Sequence, residues 1–291
     1  MSRIPLRRVV SAVDLSDRSV PTLKRGLQLA HLHGGELFVV HVTNGGLAST
    51  ESDTRRVTDA FAALQRVSDA EPYQTVPVRW IVLHGDPAIE LARSIRRTNA
   101  DLAVVGGAFP RPSTGVVGTV AHAILRTTGS PVLVIPRAAD ADASPTPYRE
   151  ILVGVASELS TDTLRYALSF AQEFESRLTI LNVERLNQAH EGANGSVTTD
   201  LSRFRAEIPN SAYDWTLIDE RVASGEPAQE LVKAARERDT DLVVVGSTAA
   251  PGSDGGLGSV ALGALALTDA NVLIVPPSSG FAREIDATLA A

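Results

Sequence analysis

The sequence contains no cysteine, which excludes disulfide bonds, thiol catalysis and metal sites built on thiolates. Aromatic residues make up only 4% of the 291 residues, so valine, leucine, isoleucine and alanine have to fill the core. No apolar run approaches the roughly 18 residues that a membrane-spanning helix needs. The opening residues, 1–8, also lack the apolar region of a signal peptide. These absences predict a soluble, cytoplasmic protein.

Positive charge is scarce as well. Lysine and arginine number 27 against 34 aspartate and glutamate residues, and the formal net charge is -7 at pH 7. Binding along a nucleic-acid backbone requires a basic face, so this balance argues against such a partner. The length fits two domains of about 140 residues each. The apolar content of 44% is enough for two ordinary cores.

The sequence repeats itself at an offset of 140 residues. Gly-Asp-Pro-Ala-Ile-Glu-Leu at 85–91 returns at 225–231 as Gly-Glu-Pro-Ala-Gln-Glu-Leu. The same offset relates three further pairs of segments: 101–106 with 241–246, 118–121 with 258–261, and 132–136 with 272–276. We therefore predict two copies of one domain, a first half at 1–137 and a second half at 148–280. An Ala, Asp, Ser and Pro-rich linker at 137–147 joins them.

Each copy alternates short apolar runs with amphipathic segments. Strands are predicted at 9–13, 37–42, 78–83, 102–105 and 132–135, and again at 151–155, 178–183, 215–218, 242–245 and 272–275. Helices are predicted after Ser16 or Ser19, at 54–68, from 87 and from 119, then at 161–175, 199–206, 227–238 and from 259. Continuous apolar strands separated by helices indicate α/β domains, each a five-stranded parallel sheet with helices on both faces.

Ligands of open α/β sheets bind at the carboxyl ends of the strands. In the first half these ends carry Asp14, Val42 and the segment 106–119, which leads into a helix N-terminus that favours an anion. Gly106 would let a ligand approach the backbone, and Thr119 offers a hydroxyl and an N–H group. Alternatively, Gly106 and Gly118 only permit a tight turn and a closely packed helix, with Thr119 as an ordinary cap.

Several features in a fixed order resemble the universal stress protein family. They are a first strand that ends in Asp14 with Ser16 and Ser19 behind it, His41-Val42 closing strand two, the Gly-Asp-Pro-Ala turn, and the run from Val-Val-Gly to Gly-Thr-Val. The resemblance covers nearly the whole chain. Because the chain is duplicated, it resembles the tandem members of the family. It implies an adenine nucleotide alpha hydrolase-like architecture. Its nucleotide-binding branch implies ATP contacts from Asp14, Val42, Gly106, Gly118 and Thr119, and in the second half from Val183, Gly246, Gly258 and Ser259.

The sequence departs from the family pattern in both halves. The second glycine of the phosphate loop falls at Phe109 and at Ala249, and each loop is one residue short. Pro110 and Pro112 remove two N–H donors. Arg111 between them either contacts a phosphate directly or is an ordinary solvated residue. In the second half Ala156 stands where an acid is expected, and Asp254 would repel a phosphate, so the first half is the better candidate for ATP.

The resemblance implies a module for survival under stress that binds ATP, or a related adenine nucleotide, with Mg²⁺ if the nucleotide is bound. A protein-interaction scaffold with degenerate pockets is the alternative, and a nucleotide hydrolase ranks third because the sequence has no P-loop lysine. His41 is predicted to be a hydrogen-bonded core residue, and Glu90 and Glu230 to lie on a solvated helix face or cap. Members of the family pair through strand five, so we expect the two halves to pair in this way, and two chains to form a homodimer.

Overall fold

The structure is a computed structural model that describes residues 3–16, 19–43, 51–107, 119–136, 145–155, 161–184, 202–248 and 257–277. The chain folds into two compact units. One unit consists mainly of residues 5–146, and the other mainly of residues 147–248 and 257–277. Each is a parallel sheet flanked by helices, which confirms the predicted fold class.

The first half places five parallel strands in the order β3-β2-β1-β4-β5. Its strands are β1 (Arg8–Ala12), β2 (Glu36–Thr43), β3 (Val78–His84), β4 (Leu102–Gly106) and β5 (Val132–Ile135). Its helices are α1 (Ser19–Leu32), α2 (Glu51–Ser68), α3 (Pro87–Thr98) and α4 (Thr119–Thr128), with a 3-10 turn at Tyr73–Thr75. Helices α1 and α2 pack together, as do α3 and α4.

The second half repeats the order as β8-β7-β6-β9-β10. Its strands are β6 (Glu150–Val155), β7 (Arg177–Glu184), β8 (Ile218–Ser224), β9 (Leu242–Gly246) and β10 (Asn271–Val275). Its helices are α5 (Thr161–Phe174), α6 (Ser202–Glu207), α7 (Ala212–Trp215), α8 (Pro227–Glu237) and α9 (Ser259–Leu267). The two halves thus share one strand order, as expected of a duplicated domain.

The central strands form where the sequence has continuous apolar runs. All residues of β4 and β9 except the final glycine are buried, because helices cover both faces of the sheet. At the outer edge, β3 and β8 are half exposed and more polar. Helix α1 ends at Leu32, and Gly34 follows with a positive φ of 57°, a conformation that suits glycine at the end of a helix.

The prediction for the third strand of the second half is wrong. The run 215–218 was expected to be a strand, but Trp215 ends the short helix α7, and β8 begins at Ile218 and continues to Ser224. An edge strand needs little apolar content, so the sequence Ile-Asp-Glu-Arg-Val-Ala-Ser lacked the apolar run on which the prediction relied. The preceding helix was predicted at 199–206, and the structure describes it as α6, Ser202–Glu207.

Across the described ranges, no helix is both long enough and apolar enough to cross a membrane.

Candidate functional site

The order of strands places a crevice at the carboxyl ends of β1 and β4. The chain passes from β1 to β2 on one side and reaches β4 and β5 on the other, so the connections diverge between β1 and β4. Ligands of open α/β sheets bind at such a point. The described residues at this edge include Asp14, after β1, and Gly106, which ends β4.

The backbone of Val42 faces the gap beyond the end of β1. Glu36 N–H donates to Arg7 O at 2.8 Å, and Val40 O accepts from Val13 N–H at 3.0 Å, so alternate residues of β2 turn their peptide groups toward β1. Val42 continues this alternation. The ladder between β1 and β2 does not extend past Val13, because the chain there turns away toward α1. The N–H and C=O groups of Val42 therefore present a donor and an acceptor to the crevice.

Asp14 lies beside this gap, and its carboxylate is held in one orientation. Its Oδ1 accepts from Ser16 N–H at 3.0 Å, from the Ser16 hydroxyl at 2.5 Å and from the Ser19 hydroxyl at 2.9 Å. The Ser19 Oγ also accepts from Asp14 N–H at 3.1 Å. Ser19 is the first residue of α1, so the helix start and the strand end fix each other. The side chain is exposed and can meet a ligand in the crevice.

Gly106 has a packing role that the sequence alone left open. A Cβ at this residue would lie 3.3 Å from Oγ1 of Thr22, a buried residue of α1. The absent side chain therefore allows α1 to pack closely over the end of β4. Gly106 therefore has a structural role in packing, and its role in the approach of a ligand stays a prediction.

The phosphate loop of the first half lies largely outside the described residues. Arg111 and Gly118 fall in the undescribed segment 108–118, and Thr119 is described only as the residue that begins α4. Helix α4 does begin at Thr119, as predicted. The roles predicted for these three residues remain predictions.

The second half repeats the backbone arrangement at Val183. Arg177 N–H donates to Arg149 O at 2.8 Å, and Gly225 N–H donates to Glu184 O at 2.9 Å, so alternate residues of β7 face β6. Val183 belongs to the set that faces β6, as Val42 does for β1. The expected acid is absent from the sequence, since position 156 is alanine, which lies outside the described residues.

Gly246 and Gly258 bracket the second loop. Gly246 ends β9, and Gly258 precedes α9 with a φ of 86°. This φ suits glycine, and a Cβ at Gly258 would also lie 3.4 Å from Oγ1 of Thr248. Ser259 is the exposed first residue of α9. Gly246 and Gly258 therefore lie at the two ends of the loop, and the ligand contacts predicted for them remain predictions.

The Gly-Asp-Pro-Ala turn of the first half has a structural role at the start of α3. Asp86 caps α3 by accepting from the N–H groups of Ala88 and Ile89 at 2.9 and 3.1 Å. Gly85 has a φ of 138°, and a Cβ there would lie 3.2 Å from Cγ of Glu90. Glu90 was predicted to lie on a solvated helix face or to be a cap-region charge. It lies in the first turn of α3, the second of these positions, and accepts from Arg93 at 2.5 Å.

His41 and His84 also have structural partners. His41 is 9% exposed, and its Nδ1 lies 2.9 Å from Val13 O, which confirms the prediction of a hydrogen-bonded core histidine. His84 Nδ1 lies 2.6 Å from Thr43 Oγ1, a contact across β2 and β3 that the sequence did not reveal. Among the residues that the structure describes, no cluster of His, Asp and Glu side chains has the geometry to hold a metal ion.

The strand order and the crevice define a duplicated α/β protein of the class that binds ligands at the carboxyl edge of a parallel sheet. The family model for the universal stress protein family matches residues 5–136 and again residues 147–276. The chain therefore belongs to the universal stress protein family and carries two of its domains in tandem.

Two solved structures that span most of this chain show the same fold at low sequence identity. A universal stress protein from Archaeoglobus fulgidus DSM 4304 is 17% identical, with a TM-score of 0.68 over 94% of this chain and 100% of that chain. A functionally unknown protein from Pseudomonas aeruginosa PAO1 is 16% identical, with a TM-score of 0.63 over 98% of each chain. A universal stress protein from Archaeoglobus fulgidus in complex with dAMP is 23% identical over 46% of this chain and 98% of that chain, with a TM-score of 0.36. A search of curated proteins returned no match.

Proposed function

We propose that this tandem universal stress protein binds an adenine nucleotide, ATP in the first instance, in the crevice of its first half. One observation supports this most: the N–H and C=O groups of Val42 and the oriented carboxylate of Asp14 lie at the same edge of the sheet. An adenine ring presents both donors and acceptors on its edge, so it can use all three groups. The carboxylate of Asp14 is exposed, so it can accept a hydrogen bond from an N–H or O–H group of a ligand.

The phosphates would then lie toward the N-terminus of α4. Unpaired N–H groups and the helix dipole favour negative charge at such a terminus. We propose that the first half contributes Gly106, Gly118, Thr119 and Arg111 there, with Mg²⁺ bound through the phosphates. The second half would use Val183, Gly246, Gly258 and Ser259 in the same way.

The biological role that we propose is a cytoplasmic stress-response module that binds nucleotide without rapid turnover. The sequence has no P-loop lysine to bind the β and γ phosphates, so fast ATP hydrolysis lacks its usual cation. Binding would instead change how the protein interacts with partners. Steady-state ATPase measurements test this directly, and turnover above background that Asp14→Ala abolishes would contradict it.

We also propose that the two halves pair through their fifth strands, and that two chains then form a homodimer. Among the described strands of its own half, β5 pairs only with β4, and β10 likewise pairs only with β9. Every residue of β5 is nevertheless buried, in contrast to the half-exposed β3 and β8. Among the described strands of its own half, each therefore has one edge without a partner strand, and such an edge invites another strand. Sedimentation of the full chain tests the homodimer, and a single monomeric species at micromolar concentration would exclude it.

Calorimetric titration with ATP and Mg²⁺ tests nucleotide binding. Wild type should release heat, and Asp14→Ala should weaken the first-half site by about 10- to 100-fold, since it loses a hydrogen bond to a charged group. Gly118→Val should weaken it as well if the loop approaches a phosphate. Asp86→Ala is the matched control, because Asp86 also lies at this edge but only caps α3. Equal titration curves for Asp14→Ala and wild type would refute the assignment.

A scaffold without a ligand is the alternative, and two observations favour it. Gly106 is accounted for by its packing against Thr22, and Asp14 is hydrogen-bonded by Ser16 and Ser19. Millimolar ATP raises the melting temperature of any protein that binds it in the folded state. An unchanged melting temperature in both halves, together with no titration heat, would favour the scaffold.

A further inference from the structure

Both halves begin their first helix with a hydroxyl that is hydrogen-bonded to a carboxylate. In the first half Ser19, the first residue of α1, donates to Asp14 Oδ1 at 2.9 Å. In the second half Thr161, the first residue of α5, donates to Glu207 Oε1 at 3.0 Å. The two acids reach equivalent helix starts from different parts of the chain. Asp14 lies five residues before its serine, whereas Glu207 lies 46 residues after its threonine.

The second half lacks the acid at the strand end that the first half has. Its sequence continues from Val155 to Ala156, where the first half has Val13 and Asp14. The backbone donor and acceptor at Val183 are nevertheless retained in the alternation of β7. A carboxylate beside the start of α5 would therefore restore the combination of backbone pair and acid that the first half presents.

Helix α6 holds Glu207 in place. Its Phe204 and the following Ile208 are 5% and 4% exposed, so both anchor the segment in the core of the second half. Arg205 Nε donates to Glu220 Oε2 of β8 at 2.7 Å and attaches the helix to the sheet. Glu207 lies between these anchors, so its carboxylate has little freedom to leave Thr161.

The second carboxylate oxygen of Glu207 has an unmet hydrogen-bonding capacity. Glu207 Oε2 is buried and has no hydrogen-bond partner in the part of the chain that the structure describes. A buried carboxylate oxygen without a donor is costly, and a bound ligand can supply the donor. If Glu207 served only to cap α5, Oε1 and its bond to Thr161 would be sufficient, and Oε2 would be expected to face water or a protein donor.

We propose that Glu207 is the acidic nucleotide-binding residue of the second half and replaces in space the strand-end aspartate that this half lacks. Its Oε2 would accept an N–H or O–H group from the adenosine part of the ligand, and Thr161 would fix its orientation. The proposal rests on the proposed function, namely that the chain binds an adenine nucleotide. It adds that the second half retains a binding site through an acid from α6.

Titration of the full chain with ATP and Mg²⁺ in an Asp14→Asn background isolates the second half. Asp14→Asn should retain one binding event, and Glu207→Gln in that background should weaken it by about 10- to 100-fold, because the substitution removes a charged acceptor with little change in shape. Thr161→Val should weaken it less, since the acid stays. Glu237→Gln is the matched control, an exposed glutamate at the end of α8, and should leave the event unchanged.

The outcomes separate this inference from the proposed function. Equal binding by Asp14→Asn with and without Glu207→Gln would refute the role of Glu207, as would a lowered melting temperature with unchanged affinity, the signature of a helix cap. Wild type that binds one ATP and loses it with Asp14→Asn would confirm the first-half site and refute the second. Wild type that binds no ATP would refute the proposed function and this inference with it.

Discussion

Gly26 of α1 tests whether the packing beneath the first-half crevice is as close as the structure indicates. A Cβ at this position would lie 2.1 Å from the Oγ of Ser11 and 3.0 Å from Cδ1 of Leu37. Non-bonded heavy atoms prefer a separation of about 3.5 Å, so Gly26→Ala requires a shift of α1 or a new Ser11 rotamer. Ser11 is completely buried, and its Oγ donates to Thr22 O at 3.4 Å, so either adjustment costs free energy.

The magnitude follows from two opposing effects. Overpacking a well-packed core costs about 1–3 kcal/mol. Replacing glycine with alanine inside a helix returns about 0.5–1 kcal/mol. We therefore expect Gly26→Ala to lower the free energy of unfolding of the first half by about 1–2 kcal/mol, and its melting temperature by several degrees. Adding Ser11→Ala removes the clashing oxygen, and the double variant should recover most of the loss.

The two tryptophans make the assay specific to one half. Trp80 lies in β3 of the first half, and Trp215 ends α7 of the second half. In a Trp215→Phe background, fluorescence during urea unfolding reports the first half alone. A Trp80→Phe background serves as the control and should show no change on Gly26→Ala. An unchanged or raised midpoint in the first half, or a double variant no more stable than the single one, would refute the reasoning.

Three further predictions concern a cap, a helix contact and a tyrosine. Asn99 ends α3 with φ 47° and ψ 51°, so Asn99→Ala should cost about 1 kcal/mol while Asn99→Gly should not, as urea unfolding will show. A Cβ at Gly263 would lie 2.6 Å from Ala228 Cβ, so Gly263→Ala should destabilise the second half by about 1–3 kcal/mol in the Trp80→Phe background; no change would contradict this contact. Burial raises the pKa of Tyr73, with Arg25 partly opposing, so stability should fall as pH rises from 10 through the raised pKa. Tyr73→Phe should flatten that alkaline decline, and an equal decline in both proteins would contradict it.

Much of the fold could be predicted because the central strands have a clear sequence pattern. Continuous apolar runs become buried parallel strands, and β5 occupies the predicted residues 132–135. Edge strands are less visible, since β8 meets solvent and carries Asp219, Glu220 and Arg221. The short helix α7 was missed because its Ala-Tyr-Asp-Trp sequence is too brief to show a helical period.

In the candidate site, contacts between residues close in sequence could be predicted, whereas contacts between distant segments could not. Asp14, Ser16 and Ser19 lie within six residues of sequence, so their association could be anticipated from local spacing. The contact between Thr161 and Glu207 spans 46 residues, and nothing in either local sequence indicates it. The packing of Gly106 against Thr22 is also a contact between distant segments, and it gave that glycine a structural role beside the predicted one.

The sequence by itself determined the duplicated architecture, the family and the positions of the strand ends, because repeated local patterns of apolar residues, turns and caps encode them. Only the tertiary structure decided which groups face the crevices, since the direction of the Val42 peptide groups depends on the register of β2 with β1. It alone placed Glu207 beside Thr161, because a contact between segments far apart in the chain exists only after the sheet and its helices have assembled.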